Sequence, residues 1–407
     1  MRILLFGDNL GIPQILRHLD PRYIAGIVGA AIRPQYWDTL KALAQTLQVP
    51  FLVQPAIKND AINGDEYLLF KDSVGKLRPD IIWVNSYSMI VRPEILAIPK
   101  YGGINIHGAL LPQYRGCNPL QWAILNQEIE TGVTLHEMTA VLDQGKIIDR
   151  RVVPLRVDDT WITARARIAE ATEKLIATNL PKILSGCWQS YGQNESLAKH
   201  YLRRTPEDGV FSWEQPVHKI YDLNRSLLPP LPGAFYHTQS GQKVILDKYY
   251  TPTEITALKF GSVGGKLVES EHIRLHLEKR ADIRGDSDDT SLNFVMEDNK
   301  KQNSFGECRL KNINWHQREA ELEINMTDSF VQMDTMKSEL LQLIVRFGFE
   351  ELNLWKIWST ISSVNSGIVL LYQGCGFQRE ELNFSANALD ANPTVEFRMS
   401  ILANAYE

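Results

Sequence analysis

Three polar residues stand out by type and spacing: Asn105 and His107, two apart in Asn105-Ile106-His107, and Asp143, which precedes Gln144-Gly145. Residues two apart on an extended strand point to the same face, so the Asn105 amide and the His107 imidazole would act on one point in space. An imidazole titrates near neutrality, which suits His107 to taking up and returning a proton. A carboxylate at Asp143, once folded beside it, would orient the ring and stabilise its charged form. The Asn105 NH₂ can donate to a developing oxyanion. These are the parts needed when an amine attacks a carbonyl carbon: a proton acceptor for the amine and a donor for the tetrahedral intermediate. No metal or covalent intermediate is required. Taken singly, each is ambiguous, since Asn-x-His can end a strand with a satisfied histidine and Asp before Gln-Gly can be a plain turn residue. Their weight comes from joint occurrence with Leu110-Leu111-Pro112-Gln113-Tyr114-Arg115-Gly116.

The elements that must hold these residues are legible on both sides. Ile3–Gly7, Tyr23–Ala30, Asp80–Val84 and Gly103–His107 are short apolar runs expected to be strands. Helical patterns fall between them, through about His18 and over Tyr36–Leu47, and strand–helix alternation predicts a mostly parallel sheet with helices on both faces. Ligand sites in such sheets lie beyond the C-terminal strand ends, where Asn105 and His107 fall. Trp161–Ile183 is helical, with Thr160 as its N-cap and Gly186 as its stop. Beyond it comes a smaller region to about Tyr250, with a Pro-rich stretch at 228–233 and a hairpin signal at Ser240-Gly241. The glycines of 261–265 then separate a last unit, about 266–407, in which Lys279–Asn293 is expected to be a loop.

The 407 residues suffice for two or three compact units. At 44% hydrophobic and 22% charged, the composition is that of a soluble globular protein. The opening MRILLFGDNLG is too short an apolar run for a signal or membrane span, and no longer one follows, so no membrane association and a cytoplasmic location are expected. The net charge of −5, with no block of like charge, argues against a nucleic-acid partner. Cys117, Cys187, Cys308 and Cys375 form no C-x-x-C pair or zinc spacing and read as reduced thiols.

With Asn-x-His, the LLPQYRG loop and Asp143-Gln144-Gly145-Lys146-Ile147 in this order, the first half resembles the 10-formyltetrahydrofolate-dependent formyltransferases. That family includes methionyl-tRNA, glycinamide ribonucleotide and sugar N-formyltransferases. The resemblance implies an α/β, Rossmann-like core over 1–186 and a small β-rich C-terminal subdomain over 187–258. It also implies 10-formyltetrahydrofolate as cosubstrate, no metal, and Asn105, His107 and Asp143 as the catalytic set. Ser86, Tyr87, Leu110, Gly116 and Asp143 would line the folate pocket. Tyr114 and Arg115 would hold part of a substrate, with a simple exposed loop charge as the other reading of Arg115. His136, in the strand-like run Val133–Met138, is open between packing and support of the site.

The region beyond residue 186 narrows the acceptor. The tRNA enzymes of the family carry a larger basic C-terminal barrel, and glycinamide ribonucleotide enzymes lack a second unit. The stretch Arg204–Gly209, Trp213, Asn224-Arg225-Ser226 and Pro232-Gly233-Ala234-Phe235 resembles both the tRNA and the sugar enzymes, but it ends near Tyr250, too early for the full barrel. The resemblance therefore implies a nucleotide-linked dideoxy amino sugar, such as a dTDP-3-amino, dTDP-4-amino or UDP-4-amino sugar, used in surface polysaccharide such as lipopolysaccharide O-antigen. It also implies a homodimer. Arg225 matches phosphate oxygens and Trp213 can stack on a base, though Trp213 and Phe235 also read as core.

Residues 266–407 resemble an α+β GNAT-type N-acetyltransferase, through Ile273-Arg274-Leu275, Phe349–Leu354, Asn365, Leu371-Tyr372 and Cys375-Gly376-Phe377. One departure is large. The family grips the coenzyme A pyrophosphate with a (Q/R)-x-x-G-x-(G/A) loop, whereas Val331–Lys337 (VQMDTMK) has no glycine and places Asp334 where phosphate would lie. A CoA-incompetent domain for assembly or nucleotide-sugar holding is expected, with Tyr372 either the family's acid or a packing residue. A bifunctional formyl- and acetyltransferase, a methionyl-tRNA formyltransferase-like enzyme, and a non-catalytic nucleotide-sugar binder are the alternatives. The intact set of Asn105, His107 and Asp143 speaks against the binder.

Overall fold

The computed structural model describes residues 1–56, 64–262, 268–277, 290–299, 304–326, 334–362, 366–380 and 396–406. The chain divides into two compact units, 1–205 and 206–407.

The first unit is built on strands β1 (Ile3–Gly7), β2 (Ile24–Ala30), β3 (Phe51–Gln54), β4 (Ile81–Asn85), β5 (Gly103–His107), β7 (Glu130–Glu137) and β8 (Ile147–Pro154), with the short β6 (Arg115–Gly116) and β9 (His200–Tyr201) apart. The sheet order is β3-β2-β1-β4-β5-β7-β8. The first five strands are mutually parallel, β7 runs antiparallel to β5, and β8 runs antiparallel to β7. Every residue of β1 (ILLFG) and β4 (IIWVN) is buried, as a parallel strand covered on both faces requires.

Alternate side chains of β1 feed two cores. Ile3 and Leu5 join Ile12 and Ile15 of α1 (Gly11–Leu16), Leu40 of α2 (Trp37–Thr46) and Leu175 and Ile176 of the long α6 (Trp161–Ser185). Leu4 and Phe6 join Tyr67, Phe70 and Val74 of α3 (Asp65–Lys76) and Ile95 of α4 (Pro93–Leu96). Helix α5 (Pro119–Leu125) follows β6. The sheet order turns around at β1, flanked by β2 and β4, so the crevice beyond those strand ends is the topological switch point of an open α/β sheet.

The second unit begins with α7 (Val217–Ser226), the hairpin β10 (Ala234–His237) and β11 (Lys243–Leu246) around Ser240-Gly241, and α8 (Pro252–Ala257). An eight-stranded sheet follows, of β12 (Val268–Glu269), β13 (Ile273–Leu277), β14 (Leu292–Asp298), β15 (Ser304–Asn314), β16 (Glu319–Met326), β17 (Lys356–Ser362), β18 (Gln378–Arg379) and β19 (Glu396–Leu402). Its order is β12-β13-β14-β15-β16-β17-β19-β18, with β16 and β17 its parallel neighbours, paired only at Glu319–Glu321 against Lys356–Trp358. Helices α9 (Asp334–Arg346) and α10 (Ser366–Gly374) complete it.

A π-helical turn, Phe347–Glu351, carries on from α9, and the next strand starts at Lys356. The loop expected over Lys279–Asn293 ends earlier, because Leu292 and Asn293 already pair in β14; residues 279–289 lie outside the described residues. So do Asn365 and 331–333 of the glycine-free stretch, whose remainder enters α9 at Asp334.

Candidate active site

A cavity of about 1160 Å³ opens beyond the C-terminal ends of β1, β4 and β5. Asn105, His107 and Asp143 all line it. Asn105 and His107 reach it from one face of β5, and Asp143 from the turn between β7 and β8.

His107 is held by the main chain. Its Nε2 lies 2.7 Å from the Tyr114 carbonyl, and a carbonyl can only accept, so Nε2 carries the proton. The basic nitrogen of neutral His107 is therefore Nδ1. It sits 3.7 Å from Asp143 Oδ2, with both side chains almost fully buried. That separation is too long for a hydrogen bond but short enough for strong charge stabilisation once Nδ1 is protonated. Ring orientation, expected from Asp143, thus comes from Tyr114; Asp143 supplies the charge.

Asn105 is fixed through His136. His136 Nδ1 donates to the Glu137 carbonyl at 2.7 Å, leaving Nε2 as an acceptor 3.1 Å from Asn105 Nδ2. The Asn105 amide is thereby set with its NH₂ toward His136, and its second N–H remains for the cavity. Burial pushes the His136 pKa down to about 4, against the pull of the Asp143 carboxylate 3.6 Å away. His136 is neutral at physiological pH, and neutrality is what lets it accept from Asn105. Sequence reading left its role open, and only the fold brings it to Asn105.

The Asp143 loop is pinned from the stretch that follows α6. Asp143 Oδ2 accepts the Gly116 amide at 2.9 Å. Gln193 Nε2 donates to the Asp143 and Gly145 carbonyls, each at 2.7 Å. The Gln193 side-chain Oε1 in turn accepts from Arg115 Nε and Nη2, and Arg115 also forks onto Glu195 at 2.7 and 2.9 Å. Two glycines are sterically required. A Cβ on Gly145 would lie 1.6 Å from the Glu137 carbonyl oxygen. One on Gly116, at φ +101°, would lie 2.2 Å from that of Tyr201. Ser86, Tyr114, Asn118 and Asp143 all adopt left-handed backbone with φ between 54° and 57°. Such conformations cost on the order of 1 kcal/mol each and persist where surrounding structure enforces them, often at functional sites.

Other expected site residues divide sharply. Ser86, Tyr87 and Gly116 line the cavity; Tyr87 is braced by Gln54 at 3.0 Å and by the edge of Phe6. Leu110 does not line it, because its side chain packs on Gly132. Tyr114 is turned away, stacked on Tyr201 with rings 4.8 Å apart and bonded to Glu128. Arg115 is fully buried and bonded to Gln193 and Glu195, so it is not an exposed loop charge. Trp213 and Arg225 belong to the second unit. There Trp213 packs on Phe211 and Tyr236, and Arg225 is buried against Asp222 at 2.8 Å.

Sequence reading missed the cavity's arginines: Arg17, Arg33, Arg165, Arg203 and Arg204 stand in its wall. Against them stand two carboxylates, Glu173 and Asp143, so five minus two leaves about +3 before any histidine is counted. A chain of net charge −5 thus concentrates positive potential where a ligand would enter. The position of Arg33 just past β2, at a C-terminal strand end, was the available signal.

Residues 42–180 match the family model described as formyl transferase, and residues 258–378 match that of the GNAT acetyltransferase domain. A sugar N-formyltransferase from Shewanella sp FDAARGOS_354 is similar in fold, at 19% identity and a TM-score of 0.51, over 62% of this chain and 98% of that one. A 4-N formyltransferase from Francisella tularensis aligns at 16% identity over 61% and 98%, with a TM-score of 0.49. A spermidine N-acetyltransferase chimera from Vibrio cholerae aligns at 30% identity over 29% of this chain and 70% of that one, with a TM-score of 0.26.

Proposed function

We infer that this chain, which joins a formyl transferase domain to a GNAT acetyltransferase domain, moves a formyl group from 10-formyltetrahydrofolate to the amine of a nucleotide-linked dideoxy amino sugar. The observation that carries this reading is the meeting of Asn105, His107 and Asp143 in one arginine-walled cavity of the first unit. Such a cavity suits two anionic ligands, a folate with its carboxylates and an acceptor with its diphosphate. The apolar side chains of Met89, Ile90, Val91, Met138 and Leu142 in the same wall suit the flat ring of the folate.

10-Formyltetrahydrofolate supplies the activated formyl carbon. His107 Nδ1 takes the proton from the amine as the new C–N bond forms. Asn105 turns its remaining N–H to the formyl oxygen as it gains charge. Asp143 stabilises the imidazolium, and His107 returns the proton to the folate nitrogen as the old C–N bond breaks. Atoms and charge balance with no other reactant.

The reading includes lipopolysaccharide O-antigen as the destination of the sugar, a cytoplasmic location and a homodimer. No helix among the described residues is long and apolar enough to cross a membrane. For residues 266–407, within the second unit, we propose a CoA-incompetent domain that serves assembly or holds nucleotide-sugar. This is supported by Tyr372, which is buried, with its hydroxyl 3.4 Å from Ser359 Oγ and its ring against Phe377; burial also raises its pKa. The test is mass spectrometry of dTDP- and UDP-linked amino sugars incubated with the protein and 10-formyltetrahydrofolate, with acetyl-CoA in a parallel arm. Formylated sugar is expected. Formylation of none would overturn the acceptor, and acetylated product would overturn the role given to the second unit.

A further inference from the structure

The five cavity arginines are not equivalent. Arg17 is ion-paired with Glu173. Arg165 lies over the Trp161 ring at 5.8 Å and Arg204 over Trp122 at 5.0 Å. Arg33 and Arg203 arrive from distant parts of the chain, the turn leaving β2 and the stretch after β9, and both close on Ser88. Arg33 Nε donates to Ser88 Oγ at 3.2 Å, and Arg203 Nη2 donates to the Ser88 carbonyl at 3.4 Å. Among the described residues neither has a carboxylate partner. Asp8, which shares a small hollow with Arg33, spends Oδ1 on the amides of Leu10 and Gly11.

We propose that Arg33, Arg203 and Ser88 form the diphosphate subsite of the acceptor, a deduction that rests on the acceptor being nucleotide-linked. Each guanidinium spends one N–H on Ser88 and keeps others for a bidentate grip on a phosphoryl group. Ser88 Oγ accepts from Arg33, so its own hydrogen is free to donate between them. Two cations meeting on one residue match two phosphoryl groups joined by a single bridging oxygen. They match the folate tail less well, because its two carboxylates are separated by a carbon chain. Charge-assisted, bidentate pairing is the stronger class of hydrogen bond and sets orientation as well as affinity. The pair would thus fix which sugar amine reaches His107.

The test is isothermal titration of the full-length protein with dTDP, UDP and folinic acid, comparing wild type with Arg33→Ala, Arg203→Ala and Arg203→Lys. Thermal melting serves as the check on folding. Each alanine variant is expected to weaken nucleotide binding about 10- to 100-fold, leave folinic acid affinity unchanged, and raise KM for the sugar far more than it lowers kcat. Arg203→Lys should recover part of the loss. Folded alanine variants with unchanged nucleotide affinity would overturn the subsite. Loss of folinic acid affinity instead would assign the pair to the folate tail and overturn it equally. Wild type that binds neither nucleotide would overturn the acceptor reading itself, and the subsite with it.

Discussion

At the scale of single residues, the site separates functions that the sequence placed on one aspartate. The Tyr114 carbonyl fixes the His107 ring, and Asp143 waits 3.7 Å from Nδ1 to stabilise the charge. His107→Asn is expected to cut kcat by 100-fold or more, the usual range for general acid–base catalysis, while folinic acid binding by titration stays near wild type. A wild-type rate in that variant would remove His107 from the proton path. Asn105→Ala should lose about 100- to 1,000-fold in kcat as an oxyanion donor. His136 adds a pH dependence of known sign. Its pKa falls on folding to about 4 from an ordinary value near 6.5, so the unfolded chain binds the extra proton between those values. The stability it contributes is therefore complete above about pH 6.5 and is lost as pH falls toward 4. Melting temperature measured across that window should drop more steeply for wild type than for His136→Asn. Parallel curves would mean that His136 does not titrate as its surroundings imply.

At the scale of elements, the turn that carries Asp143 depends on a segment with no signature of its own. Gln193 bridges the Asp143 and Gly145 carbonyls to Arg115, so residues after α6 hold a turn between β7 and β8 in its left-handed conformation. Gln193→Ala leaves two buried carbonyls and part of a buried guanidinium without partners, each worth about 1–3 kcal/mol. A lower melting point and a fall in kcat of about tenfold are expected, with KM little changed, because the turn would relax away from His107. Unchanged kcat in a protein that melts early would reduce Gln193 to a purely structural bond. This network marks the limit of what the sequence discloses. The strands ending in Asn105-Ile106-His107 were legible because buried parallel strands leave long apolar runs, and side-chain alternation then dictates a shared face. Thr160 and Gly186 bounded α6 through equally local rules. The burial of Arg115 is not legible in the chain, because it depends on Gln193 and Glu195 nearly eighty residues away. Arg33 and Arg203 escaped notice for the same reason, since a cation pair made across the sheet has no spacing in the chain.

At the scale of the molecule, a buried ion pair ties together separate segments of the second unit. Lys259, fully buried, donates to Glu351 Oε2 at 2.6 Å and to the Gln215 carbonyl at 2.7 Å. Glu351 also accepts the Val217 amide at 3.1 Å, while its carbonyl meets His218 Nδ1 at 3.2 Å. The π-helical turn leading from α9 is thus bonded to the start of α7 and to the turn that follows α8. The glycine-containing break at 261–265 interrupts the sequence, but these bonds join the segments on either side into one body. Removing one partner of a buried pair strands the other charge, which typically costs about 3–5 kcal/mol. In a unit of about 200 residues that corresponds to a melting shift on the order of 10 °C. Calorimetry of the full-length protein should resolve one transition for each compact unit, and Glu351→Ala should lower only one of them. Formylation measured below that transition should persist in the variant, because Asn105, His107, Asp143 and the cavity they line lie wholly within residues 1–205. If both transitions move together, the chain unfolds as a single cooperative body. The buried Lys259–Glu351 pair would then underwrite the stability of the formyl-transfer site as well as its own unit.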